Sequence, residues 1–149
     1  SLDQLVRFDR PLILLLGSDT KPAYALLQGV GAKQARLDLG GTRYELARAS
    51  LSKFWSGDFI ALWRLPADVP ATLQQGESGA GVAWVTDRLK TFDGGAGAQT
   101  PALFDAQLEA RVRKLQTAYG IKADGIIGPE TLFALSALDD AGPHLARPV

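Results

Sequence analysis

Apolar residues change their spacing partway along the chain, and the change divides it. Residues 1–10 are polar with scattered apolar positions (Leu2, Leu5, Val6, Phe8), enough for a helical turn or the end of a preceding element. Arg10-Pro11 leads into the continuous apolar run Leu12–Leu16, whose length fits a strand buried on both faces. Gly17 to Pro22 is a turn cluster, and Ala23–Leu27 is a second apolar run closed by Gly29 and Gly31. Residues alternate from Ala35 to Leu39 and again from Thr42 to Ala47, around Gly40-Gly41. Two alternating runs about a Gly-Gly pair predict a hairpin over 35–47. Ser50 is a candidate N-cap for a short helix over Leu51–Trp55, ended by Gly57. Asp58–Leu65 reads as the last strand of this half.

Residues 66–76 hold two prolines, two glutamines and a glycine and read as a linker carrying the domain boundary. From Gly79 onward the spacing becomes helical, with Val82, Val85 and Leu89 on one face and Trp84 beside it. Residues 90–101 are rich in glycine and read as a flexible loop. Asp105 is a candidate N-cap for a helix carrying Leu108, Val112, Leu115 and Tyr119. Leu132, Leu135 and Leu138 form a third stripe, and residues 139–149 read as a frayed tail. Between the last two stripes lies Tyr119–Thr131. Gly120 stands where a helix end favours a left-handed residue, Asp124-Gly125 is a turn signal, and Pro129-Glu130 suits a helix start. Ile126 and Ile127 are expected to be buried pegs that fix the loop. The fold class is α+β: a mainly antiparallel β module with one short helix over 1–70, then a helical module over 76–141.

Composition narrows the function classes. The chain has 149 residues, enough for one medium domain or two small ones, and its net charge is zero. Residues 1–75 carry two more cations than anions and residues 76–149 the reverse. No basic surface for nucleic acid is implied. There is no cysteine and a single histidine, His144, so thiol nucleophiles and zinc–thiolate sites are absent. No paired carboxylates point to a glycosidase, and no cofactor or metal is expected. No apolar run approaches the roughly 20 residues that cross a bilayer, so membrane insertion by this chain is not expected. The chain opens on Ser rather than Met, which points to a piece of a longer protein.

Two resemblances then come into view. Gly76-x-x-Gly79-x-x-Val82-x-x-Val85-x-x-x-Leu89, Val112-x-x-Leu115-Gln116-x-x-Tyr119-Gly120-Ile121 and Asp124-Gly125-Ile126-Ile127-Gly128-Pro129-x-Thr131-x-x-x-Leu135 resemble peptidoglycan-binding domains of the PG_binding_1 type. The family usually has Leu-Gln where Val85-Thr86 stands here, and Phe where Leu115 stands. This resemblance implies a three-helix bundle. Ala23-Tyr24-Ala25-Leu26-Leu27-x-Gly29, Leu37-Asp38-Leu39 and Leu51-x-x-Phe54-Trp55-x-Gly57-x-Phe59-x-x-Leu62-Trp63-Arg64-x-Pro66 resemble the region before the peptidoglycan-binding module in ExeA/GspA proteins of type II secretion. That region is similar to the later half of a C39-like cysteine peptidase. In such peptidases a His opens the strand where Ala23 stands, and Asp38 takes the place of the orienting carboxylate. Without Cys, a Cys–His pair cannot form in this chain.

The resemblances imply a non-catalytic, periplasmic, peptidoglycan-binding region of an inner-membrane protein that helps a secretin assemble through the wall. They also imply a GspB-like membrane partner and homo-oligomerisation. The alternatives are a targeting module of a wall hydrolase or peptidase, and a protein–protein docking module. Candidate ligand contacts are Phe104, Arg113, Gln116, Tyr119, Asp124, Gly125, Ile126, Ile127, Gly128 and Thr131. Asp124 and the glycines are expected to shape a groove, with Gln116, Tyr119, Ile126 and Thr131 facing it and Arg113 able to meet a stem-peptide carboxylate. Tyr119 reads equally as a core aromatic with an exposed hydroxyl. Trp55 and Trp63 read as core or interface residues before saccharide platforms. Asp38 also reads as a residue of the turn before Gly40-Gly41.

Overall fold

The computed structural model describes residues 1–17, 20–95, 103–139 and 141–147. The chain forms two compact units, one of Ser1–Leu62 with Gly142–Val149 and one of Trp63–Ala141.

The first unit begins with α1 (Leu2–Phe8), whose first turn is capped by Ser1 accepting from the Gln4 N–H. Five strands follow: β1 (Leu12–Leu16), β2 (Ala23–Val30), β3 (Gln34–Leu39), β4 (Thr42–Ala47) and β5 (Trp55–Ile60), with α2 (Arg48–Leu51) before the last. They form one antiparallel sheet in the order β4-β3-β2-β1-β5. One face is buried: Leu12 and Leu14 of β1, Ala25 and Leu27 of β2, Ala35 and Leu37 of β3. Leu5 and Phe8 of α1 are buried too, and the Phe8 ring lies 6.3 Å from Phe59 of β5. Burying a side chain of this size contributes about 1.5–3 kcal/mol. β1 is thus covered on one face only; Ile13, Leu15 and Leu16 are only half-buried. Strand parity explains Ile13 and Leu15, since successive side chains point to opposite faces; Leu16 shares the parity of Leu14 but ends the strand, where the pairing with β5 shifts register.

The hairpin lies where the alternation puts it. Gly40 and Gly41 both adopt positive φ (60° and 86°), as a tight two-residue turn requires, and Asp38 Oδ1 accepts from the Gly41 N–H at 2.9 Å. The short helix starts earlier than expected. It covers Arg48–Leu51 with Ala47 at its cap and Ser50 inside. Tertiary contacts set it: the Arg48 N–H donates to the Lys33 carbonyl, its guanidinium pairs with Asp3, and Leu51 is fully buried. Trp55 belongs to β5, which ends at Ile60 rather than Leu65, and the Trp55 indole N–H donates to the Asp58 carbonyl at 2.8 Å.

The C-terminal segment is not frayed at 145–146. Pro11 precedes β1 and has no N–H to extend the ladder along β2. Ala146 takes up that part of β2: its N–H donates to the Gln28 carbonyl (2.8 Å), and the Val30 N–H donates to its carbonyl (3.0 Å). Leu145 is buried. A Cβ on Gly29 would lie 2.6 Å from the Ala146 oxygen, so only glycine admits this approach. Gly29→Val is therefore expected to release the segment, with the Val30 amide losing hydrogen-exchange protection and the unit losing about 1–3 kcal/mol. Unchanged Val30 protection would contradict the assignment.

The second unit contains α3 (Ala80–Asp93), α4 (Ala106–Tyr119) and α5 (Pro129–Ala137). Val82, Val85 and Leu89 of α3 meet the expected stripe, and Thr86 is buried because its hydroxyl donates to the Val82 carbonyl at 2.8 Å. Val112, Leu115 and Phe104 are buried with Leu132, Ala134 and Leu135 of α5. Trp63 packs its ring 6.2 Å from Phe133, and Arg88 lies over the Trp84 ring.

Residues 66–76 are not a free linker. Val69 and Leu73 are buried, and a Cβ on Gly81 of α3 would meet Pro70 and Leu73 at 2.8 and 3.0 Å. Leu73 and Ile127 exchange both backbone hydrogen bonds (3.0 and 2.8 Å), and Phe104 bonds Gly76 and Glu77. The prolines and glutamines make this stretch look solvated, whereas its two aliphatic residues anchor it to the bundle. The loop expected over 90–101 begins later: α3 runs through Asp93, Gly94 caps it at positive φ, and residues 96–101 lie outside those described.

Candidate functional site

The site grows from the end of α4. Asp105 caps the helix by accepting from the Leu108 N–H at 2.8 Å. At the other end Gly120 turns left-handed (φ 68°), and the Ile121 N–H bonds back to the Gln116 carbonyl at 2.8 Å. The chain then makes a second local turn. Asp124 Oδ1 accepts from the Ile126 N–H at 3.0 Å, the bond by which an aspartate mimics a backbone turn. Gly125 follows at φ +78°. α5 starts with Pro129 in its first turn, where a missing N–H costs nothing.

Gln116 holds this loop from inside. It is 1% exposed. Its Nε2 donates to the Ile126 carbonyl (2.9 Å), the Thr131 hydroxyl (3.2 Å) and Asp124 Oδ1 (3.3 Å), and its Oε1 accepts from the Gly125 N–H (2.9 Å). One side chain thus ties the helix end, the turn and the start of α5. A buried amide with both ends satisfied rigidifies its surroundings, whereas one left half-satisfied is costly.

The candidates divide into two sets. Gln116, Thr131, Ile127 and Gly125 are buried and shape the loop from within, and Phe104 is buried in the helical unit with its backbone bonded to Gly76 and Glu77. Gln116 and Thr131 therefore do not face a groove; their polar atoms are turned inward. Arg113, Tyr119, Asp124 and Ile126 keep exposed surface around the loop. The isoleucine pair splits: Ile127 is fully buried and bonded to Leu73, while Ile126 is 42% exposed. Gly128 has φ −108° and open space where a Cβ would stand, so neither conformation nor packing demands glycine there. The Tyr119 ring lies 6.5 Å from Phe92 of α3.

Arg113 is engaged rather than free. Its Nε and one terminal nitrogen donate to Glu109 Oε1 (2.9 and 2.7 Å), and the other donates to the Ala123 carbonyl (2.6 Å). Glu109 was not among the expected residues, although its place four residues before Arg113 on a helix is a signal for such a pair. Lys122, 3.4 Å from Asp124 Oδ2, was also missed.

The Asp124 carboxyl is held below its ordinary value of 3.8, first by the Ile126 N–H and then by Gln116 and Lys122. A lowered folded value means that its contribution to stability is complete above the ordinary value. It is lost as pH falls through the lower, folded one. Titration of the Ile126 amide resonance is expected to give a midpoint below 3.8; a midpoint above it would contradict the Asx turn.

In the first unit, the residues tied to peptidase chemistry are differently placed. Ala23 opens β2, Asp38 serves the hairpin turn, and His144 pairs with Asp9 at 2.9 Å. Among the described residues, no group of three or more His, Cys, Asp or Glu side chains has the spacing to hold a metal ion. None of the described helices is long and apolar enough to cross a membrane.

Comparison with known proteins agrees with both units. Residues 1–65 match the family described as "GspA, peptidase C39-like domain", and residues 78–135 match "Putative peptidoglycan binding domain". The chain is 29% identical over 143 residues to "General secretion pathway protein A" of Aeromonas hydrophila, covering 93% of this chain and 25% of that protein. It is 37% identical over 70 residues to the "Zinc D-Ala-D-Ala carboxypeptidase" of Streptomyces albus G, covering 46% of this chain and 28% of that one. It therefore spans little more than a quarter of the length of these relatives. A solved structure, a periplasmic domain of the EpsAB fusion protein of the Vibrio vulnificus type II secretion system, superposes with a TM-score of 0.52 at 27% identity. The superposition covers 95% of this chain and 63% of that one. A GspA-type C39-like match over residues 1–65 followed by a peptidoglycan-binding-type match over residues 78–135 makes the chain similar to an ExeA/GspA-type region along most of its length.

Proposed function

We propose that the chain binds peptidoglycan without catalysis, through the loop end of its helical unit. It works in the periplasm as part of a longer inner-membrane protein, and supports assembly of a type II secretion secretin through the wall. A GspB-like membrane protein and further copies of the chain are its partners in that role. The observation that carries the binding reading is the loop tied by Gln116, lying within the stretch that matches the peptidoglycan-binding family. A preformed loop binds without the entropic cost of ordering. The absence of cysteine supports a peptidase scaffold that has lost its chemistry.

Co-sedimentation of the full chain with purified sacculi tests this. Saturable pelleting is expected, and Tyr119→Ala is expected to weaken it about tenfold while the far-UV spectrum stays unchanged. Wild-type protein that stays in the supernatant would reject the reading.

A second reading, a targeting module for a wall hydrolase, is favoured by the match to the Streptomyces carboxypeptidase. Release of soluble muropeptides from sacculi by this chain alone would favour enzymatic activity over both readings.

A further inference from the structure

The charges around the loop are already committed within the helical unit. Arg113 spends its guanidinium on Glu109 and the Ala123 carbonyl. One oxygen of Asp124 accepts from the Ile126 N–H and Gln116, and the other faces Lys122. Gln116 is fully used inside. The balance is also wrong for an anion: Arg113 and Lys122 stand against Glu109, Asp124 and Glu130. For Arg113 to grip a carboxylate it would have to leave a carboxylate and a carbonyl it already holds. The Lys122 side chain is 86% exposed, where hydration and salt leave its ammonium little attraction. What the loop offers outward is the Ile126 side chain and the rim of Tyr119.

We propose that this surface meets the uncharged N-acetylhexosamine strand of the wall polymer, through sugar C–H faces and acetyl methyls, and not the carboxylates of the stem peptides. The proposal rests on the peptidoglycan-binding reading above. Apolar and neutral contacts are not screened by salt, whereas gripping a carboxylate is.

The test uses the full chain and purified sacculi. Pelleting is expected to change by less than about twofold between about 0.1 M and about 1 M NaCl, where the screening length falls from about 10 to about 3 Å. Lys122→Gln is expected to change it by less than about twofold. Ile126→Asn is expected to weaken it about tenfold with an unchanged melting curve. A soluble N-acetylglucosamine tetramer is expected to displace the protein, and acetyl-D-Ala-D-Ala is not. Pelleting that collapses at high salt, or displacement by the dipeptide but not the sugar, would overturn this inference while leaving wall binding in place. Absence of pelleting at low salt removes the binding reading and this inference with it.

Discussion

Gly125→Ala is expected to destabilise the helical unit by about 2–4 kcal/mol, the largest effect of any single methyl in the loop. Two costs add. Gly125 sits at φ +78°, and placing a Cβ in that left-handed region costs about 1–2 kcal/mol. The same Cβ would lie 2.6 Å from Glu109 Cγ and 3.0 Å from Arg113 Nε. The Glu109–Arg113 pair would have to shift, and Arg113 also holds the Ala123 carbonyl, so the disturbance spreads through the loop. For a unit of this size, each kcal/mol moves the midpoint by about 4–8 °C. The thermal transition of the unit should therefore fall by at least about 8 °C. Gly128→Ala is the control. Its φ is −108° with open space at the Cβ position, and it should cost less than about 1 kcal/mol. Equal losses in the two variants would show that glycine is required for some reason other than conformation and space.

The second large effect is expected at Gln116. Gln116→Leu keeps the volume of a buried helix residue but removes every side-chain bond that Gln116 makes to the loop. The buried Gly125 N–H and the Thr131 hydroxyl lose their Gln116 partner, and each such orphan costs about 1–3 kcal/mol. We expect a loss of about 2–4 kcal/mol, with the amides of Gly125 and Ile127 losing hydrogen-exchange protection first. Ile127 responds because its bonds to Leu73 depend on the loop's position. Gln116→Glu gives a sharper test. The carboxylate still accepts from Gly125 but cannot donate to the Ile126 carbonyl, and it brings a negative charge beside Asp124. Burial raises its pKa, so its protonated form favours the folded state, and the deficit relative to wild type should shrink as pH falls. A deficit independent of pH would mean that Gln116 acts through packing alone.

The residue that organises the loop was legible in the sequence as important but not in its role. Gln116 lies on the same helical stripe as Val112, Leu115 and Tyr119, and a polar side chain there reads as reaching into a groove. Its partners stand 8 to 15 residues downstream, in a segment whose path no local periodicity specifies. The local devices were readable because each acts within a few residues: the Asp105 cap, Gly120, Asp124-Gly125 and Pro129. The burial of Val69 and Leu73 was hidden by the prolines and glutamines around them, and by dependence on α3 and Ile127. The docking of Ala146 beside β2 joins residues more than a hundred positions apart, and only Gly29 in the strand hints at it. Arg48–Leu51 formed a helix ahead of the Ser50 signal because Lys33, Asp3 and the buried Leu51 outweigh a capping preference of about 1 kcal/mol.

The same division sets what mutations should do to binding. Residues turned inward should change folding and binding together, whereas Tyr119 and Ile126 should change binding with the unit intact. The most direct measurement is an NMR titration of the isotope-labelled full chain with soluble muropeptides. If the loop end binds the wall polymer, saturable shifts are expected in the amides of residues 119–126, with those of the sheet unit unmoved. Shifts confined to the sheet unit, or none at concentrations that saturate pelleting on sacculi, would contradict binding there.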